Sequence, residues 1–127
     1  MNNHKIFISF SSKDSALALK IYDRLNHRGI KSWISAKDIQ PGADYQTAIV
    51  EAIEEAEIVV LVFSSRAASS NEIAKELSLA SKKIIIPARI EDIEPQGAFK
   101  YQLSNRQFVD LFDDFDRKLD GLANKVQ

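Results

Sequence analysis

One run constrains this chain more than any other: EIVVLVF, residues 57–63. After its first residue it contains no polar position at all. It is too short for a typical globular helix, and it is rich in β-branched side chains. Such a run reads as a strand buried on both faces, the kind found inside parallel sheets. A sheet of that type needs helices on both sides, so the rest of the chain has to supply them.

The flanking sequence alternates accordingly. Residues 5–10, KIFISF, read as a first strand, and SSKD follows with Ser11 or Ser12 placed to cap a helix. Residues 14–28 carry Leu17, Ala18, Ile21 and Leu25 at helical spacing, and Gly29 stops that helix. A second strand is expected at 30–34, then a long loop, SAKDIQPGAD, with Pro41-Gly42 as its turn signal. Residues 44–56 and 70–81 read as helices, and 83–90 as a fourth strand with Pro87 near its end. Residues 91–105 read as irregular with a short helical turn near Phe99. A more polar fifth strand, 107–112, belongs at the sheet edge, and a last amphipathic helix spans 113–125.

Five strands alternating with helices predict an α/β, flavodoxin-like three-layer domain. Its five-stranded, mainly parallel sheet is expected in the order 2-1-3-4-5. In such sheets ligands bind beyond the carboxyl ends of the strands, at the switch point between strands one and three. The loops after Phe10 and Phe63 therefore border the expected pocket.

Composition narrows the chemistry. The 127 residues suffice for one domain, residues 1–127, and are too few for two. That domain reads alike as a stand-alone protein or as one excised from a longer one. The net charge of −1 favours neither nucleic acid nor an anionic membrane surface. No apolar run approaches the roughly 18 residues of a membrane span, and MNNHKIFISF lacks a leader's apolar region. The absence of cysteine removes disulfides, thiolate metal sites and cysteine nucleophiles, and fits a cytoplasmic location. No metal site is expected, and His4 and His27 read as surface residues.

The strand ends are rich in hydroxyls: SSKDS (11–15), SAKDIQPGAD (35–44), SSRAASSNE (64–72) and ARIED (88–92). Helix caps account for many of them. Neither a Walker nor a dinucleotide glycine fingerprint is present. A flavodoxin phosphate loop would need glycine after strand one. A phosphoacceptor site would need Asp at the end of strand three, where Ser64 and Ser65 stand.

Two carboxylates on the helix after strand three need explaining. Ser69-x-x-Glu72 reads as a capping box, with Glu72 also favoured by the helix dipole. Glu76 has no lysine or arginine at its i±3 or i±4 positions and flanks the apolar stripe of Ile73, Leu77 and Ala80. A surface glutamate and a functional one are both open on those facts.

Taken in order, the motifs resemble those of the TIR (Toll/interleukin-1 receptor) domain family, most of all its bacterial members. IFISFSSKD (6–14) resembles the first signature box, and KSWISAKDIQPGADY (31–45) the second strand and BB loop. EAEIVVLVFSSRAASSNEIAKEL (55–77) is similar to the third strand and the glutamate-bearing helix, and FVDLF (108–112) to the third box. The resemblance spans nearly the whole chain. Some members of the family are assembly modules; others cleave NAD with a glutamate on the helix after strand three, which falls here on Glu76.

The resemblance implies NAD as substrate, with no cofactor, and cleavage of the nicotinamide–ribose bond. It implies self-association through the BB loop, residues 35–44, and regulation by a fused sensor domain in antiphage defence or effector signalling. Phe10 and Ser11 are then placed to meet base, ribose or phosphates. Lys13 is either a diphosphate contact or a solvated lysine, and Trp33 either a core or a substrate contact. Asp38 and Gly42 belong to the gating loop, and Ser69 is a cap before it is a substrate contact. Many enzymatic members carry an aromatic residue four positions before the glutamate, where this chain has Glu72, and Ile73 replaces a common cysteine. The alternatives are a non-catalytic TIR scaffold, and a nucleoside-processing transferase that would not need the diphosphate.

Overall fold

A computed structural model describes residues 4–127. Residues 1–3, at the start of MNNHKIFISF, lie outside the described residues. The chain runs β1 (Ile6–Ser9), a 3-10 turn (Ser12–Asp14), α1 (Ser15–His27), β2 (Ser32–Ile34), α2 (Ser35–Asp38) and α3 (Tyr45–Glu55). It continues through β3 (Ile58–Phe63), α4 (Ser65–Ala68), α5 (Asn71–Leu79), β4 (Ile84–Arg89), α6 (Gly97–Leu103), β5 (Val109–Asp110) and α7 (Phe115–Val126). All pairings are parallel, and the sheet order is 2-1-3-4-5, as expected.

The opening run does what its composition demands. Ile58, Val60 and Val62 pack with the core under α1 and α7, beside Ile21, Leu25, Leu119 and Leu122. Val59, Leu61 and Phe63 point to the opposite core, with Ile53, Ile73, Leu77 and Phe99 from α3, α5 and α6. The strand side chains alternate between two apolar layers, so every position must be apolar.

Pro87 sits inside β4 without breaking it. The amides of Ile84 and Ile90 point to β3, so the nitrogen of Pro87 faces the other side. There β5 pairs only with Ala88 and Arg89, and no ladder bond is lost. β5 itself is two residues long where 107–112 was expected. Side-chain contacts replace the ladder. Asp110 holds Arg89 by two bonds of 2.6 and 2.8 Å, and the rings of Phe108 and Phe112 lie 5.6 and 5.4 Å from its guanidinium.

Several local expectations need correction. The SAKDIQPGAD segment begins with a helical turn, α2, because Asp38 Oδ2 accepts the Ile34 amide at 2.8 Å. The irregular stretch 91–105 contains a seven-residue helix, α6, whose Phe99 and Leu103 reach the core. α7 starts two residues late because Asp113 adopts φ +70°. His27 is exposed, but His4 is 5% exposed, with Nε2 2.7 Å from the Ala52 carbonyl.

The capping box is also displaced. The cap of α5 is Ser70, whose Oγ accepts the Ile73 amide at 3.1 Å. Ser69 instead closes α4 by donating to the Ser65 carbonyl at 3.1 Å. The hydroxyl run forms a helical turn of its own, which shifts the next start by one residue. Glu72 therefore lies in the first turn of α5 without the reciprocal box contact. Ser70→Ala is expected to cost about 1 kcal/mol in chemical denaturation, and Ser69→Ala no more than about half of that. Equal losses would return the cap to Ser69.

Candidate active site

The carboxyl ends of β1 and β3 lie side by side, and α5 starts beside them. Phe7 and Ser9 share one face of β1, and Ile73 and Leu77 press α5 onto that face. Glu76 lies between these two anchors on the helix and is 7% exposed. Ser9, 1% exposed, donates its hydroxyl to Glu76 Oε1 at 2.7 Å.

Burial pushes the Glu76 carboxyl up to about 7, the Ser9 hydrogen bond opposes that rise, and the nearby Glu72 charge adds to it. The group is thus poised between charged and neutral forms near neutral pH, a common property of functional carboxyls.

A cleft of about 210 Å³ opens onto Glu76. Phe10, Ser11 and Ser12 form one wall after β1, and Ser70, Glu72 and Ile73 form the opposite wall on α5. Ser35 and Tyr45 close the third side. The Tyr45 hydroxyl lies beside Ser35 and Glu72, and burial together with the Glu72 charge raises its pKa. Phe10, Ser11, Glu72 and Glu76 thus meet, as the topology required.

The other candidates lie elsewhere. Trp33 stacks on Phe7 at 5.3 Å, and Asp38 holds the Ile34 amide and the Tyr22 hydroxyl. Both line a separate groove of about 520 Å³ outside β2. That groove is larger, but it lacks the feature that marks the cleft, a buried carboxyl at the strand switch point. Gly42, at φ +83°, is exposed in the loop, Lys13 is exposed beyond Ser12, and Ser69 is occupied on α4. Sequence reasoning missed Ser12, Ser35, Tyr45 and Ser70 in the cleft. The parity of Phe7 and Ser9 was a legible signal for the contact between Ser9 and Glu76.

A second buried carboxylate supports the cleft from behind. Asp14, 6% exposed, accepts from Ser64 Oγ at 2.5 Å and Arg66 Nε at 2.6 Å. Arg66 also reaches Glu91 at 3.0 Å, and Glu91 accepts the Ser65 amide at 2.8 Å. The network ties the loop after β1 to those after β3 and β4. Among the described residues, no group of three acidic or histidine side chains could hold a metal, and no helix is long and apolar enough to cross a membrane.

The family described as TIR domain matches residues 6–123. TMV resistance protein N of Nicotiana glutinosa is 28% identical over 133 residues, which cover 98% of this chain and 11% of that protein. The probable 2' cyclic ADP-D-ribose synthase BdTIR of Brachypodium distachyon is 30% identical over 98 residues, 74% of this chain and 43% of that protein. The chain therefore spans less than half the length of either relative. The crystal structure of the TIR domain of the Toll-related receptor TRR-2 from Hydra magnipapillata matches with a TM-score of 0.82 at 22% identity, covering 97% of this chain and 98% of that one. That last likeness is one of fold.

Proposed function

Because the chain belongs to the TIR domain family, we propose that it cleaves NAD at the nicotinamide–ribose bond, with Glu76 as the catalytic residue. The observation that carries this reading is the buried Glu76 carboxyl, held by Ser9 at 2.7 Å and open to the cleft. The similarity to a protein named as a probable cyclic ADP-ribose synthase supports it. On the same reading the domain works when self-associated through residues 35–44. An attached sensor controls it, in a bacterial defence or effector setting, and the domain acts in the cytoplasm.

The chemistry suits a single carboxylate. Nicotinamide in NAD is cationic, and when the C–N bond breaks the bonding pair returns to the ring, which leaves neutral. No general acid is required. Positive charge develops on the ribose, and ionised Glu76, largely shielded from water, stabilises it. Water, or a hydroxyl of the substrate itself, then attacks the ribose carbon and releases a proton, which the carboxylate accepts. No cofactor enters these steps.

The test is nicotinamide release by the crowded or assembled protein, resolved by chromatography, beside Glu76→Gln. Absence of nicotinamide from the parent protein leaves a scaffold. Equal release by both proteins removes Glu76 from the chemistry.

A pH profile adds a finer test. If ionised Glu76 is the active form, kcat/KM rises with pH through a midpoint near 7. Ser9→Ala deletes a hydrogen bond to the charged form, so Glu76 holds its proton to higher pH and the midpoint moves up. An unmoved midpoint in Ser9→Ala rejects Ser9 as the group that tunes Glu76.

A further inference from the structure

We infer that the groove outside β2 is a binding site in its own right, and that its ligand is a small molecule bearing a planar guanidinium group. The groove measures about 520 Å³, within the roughly 300–1,000 Å³ of small-molecule pockets. It holds Trp33 and Asp38, which the cleft leaves out. The sheet edge limits what can bind there. An edge strand offers unpaired amides to an added strand. The amides of Ser32 and Ile34 are not available for this. Asn26 Oδ1 accepts the first at 3.1 Å, and Asp38 Oδ2 accepts the second at 2.8 Å. Strand addition at this edge has lost its donors, so recognition falls to the side chains.

Trp33 supplies a flat wall. Its ring stacks on Phe7, 5.3 Å away and 12° from parallel, and Phe7 is its register partner on β1. β2 ends the sheet, so no further strand covers Trp33 on the outer side, and its half-buried ring lines the groove. A planar cation continues such a stack.

Charge selects the sign. Three carboxylates, Asp38, Glu51 and Glu55, line the groove against one lysine, Lys31. A phosphate meets mostly like charge there, which argues against a second nucleotide site. His4 adds an unmet acceptor. It is 5% exposed, and its Nε2 donates to the Ala52 carbonyl at 2.7 Å. Its Nδ1 faces Glu55 Oε2 at 3.8 Å, beyond hydrogen-bond distance. In the neutral ring that nitrogen is an acceptor turned toward another acceptor. N–H donors placed between them satisfy both. The His4 ring lies 6.2 Å from that of Trp33, so the donors and the stacking plane can belong to one group. A guanidinium combines plane, charge and a fork of in-plane donors, whereas an ammonium brings the charge without the plane.

Trp33 is the single tryptophan of the chain, so its fluorescence reads the groove directly. The full chain is titrated at pH 8 and constant ionic strength with ethylguanidinium, and in parallel with propylammonium and with neutral ethylurea. Ethylguanidinium is expected to saturate with a midpoint below about 10 mM. Propylammonium binds at least about fivefold more weakly, and ethylurea does not saturate. Glu55→Gln weakens ethylguanidinium at least about threefold. Glu54→Gln removes the same charge from an exposed position outside the groove and leaves the midpoint unchanged. A thermal melt shows that both variants are folded. No saturation below about 10 mM, or binding of either control within about fivefold of ethylguanidinium, overturns the inference. Equal shifts in Glu54→Gln and Glu55→Gln reduce the effect to net charge and overturn it as well. Tighter binding of adenosine monophosphate than of ethylguanidinium makes the groove a nucleotide site instead. An arginine tripeptide that binds more than about tenfold tighter than ethylguanidinium overturns the small-molecule assignment in favour of a protein partner.

Discussion

At pH 8 the Glu76→Gln variant is expected to melt well above the parent protein while losing at least about a hundredfold in nicotinamide release. The two effects share one cause. The carboxyl titrates near 7 in the folded chain against an ordinary value of 4.5. Between those values the folded state keeps a proton that the unfolded state has lost. Stability therefore falls as pH rises from about 4.5 to about 7, and the loss is complete above that window. A separation of this size corresponds to about 3 kcal/mol at pH 8. For a domain of this length that is a shift on the order of 10 °C in Tm.

Glutamine keeps the shape and an acceptor for Ser9 but has no charge to bury. The gain in Tm should thus be present at pH 8 and nearly absent at pH 4.5, where the carboxyl of the folded chain is neutral. Thermal melts at the two pH values check it. A variant no more stable than the parent at pH 8 means that the ionised carboxylate is not strained by burial. A destabilised but active variant would contradict both halves of the expectation.

The second large effect is expected at Asp14. Asp14→Ala removes the acceptor for the Ser64 hydroxyl and the Arg66 guanidinium at once. Hydrogen bonds to a charged group contribute roughly 1.5–3 kcal/mol each. Arg66 regains water and Glu91 on removal of its partner, so the two losses do not simply add. A net cost of about 3 kcal/mol, read from the urea midpoint, is expected. Asp14→Asn retains a neutral acceptor for Ser64 and should recover part of it. Catalytic efficiency should fall as well, since Ser11 and Ser12 sit on the loop this network anchors. A cost under about 1 kcal/mol would mean that the network is a surface decoration rather than a clamp.

Much of the site's location was legible, and much of its detail was not. The apolar run of β3 and the alternating elements around it dictated a parallel sheet, and the sheet dictated where a cleft must lie. Glu72 and Glu76 could be told apart by their neighbours on the helix. The cap of α5 was misplaced because four residues of an apparent turn, Ser65–Ala68, form a helical turn of their own. Local hydroxyl patterns do not distinguish one long turn from two short ones. Lys13 and Ser69 lie beyond the cleft although they are adjacent in sequence to residues that line it. A helical turn sends neighbours to different faces, and the direction depends on where the turn starts.

Local composition and period by themselves determined the alternation of the five strands with the main helices, the sheet order and the strand ends that border the cleft. They did so because apolar patterning and the right-handed crossover leave few other solutions. Tertiary structure alone decided the protonation of Glu76. That property depends on the helix seating the carboxyl 2.7 Å from Ser9, sixty-seven positions away, with water largely excluded. It likewise decided that Asp14, which reads as an ordinary polar residue at a helix start, is buried between Ser64 and Arg66. Desolvation is a property of what surrounds a group in space, and that is set only when distant segments close over it.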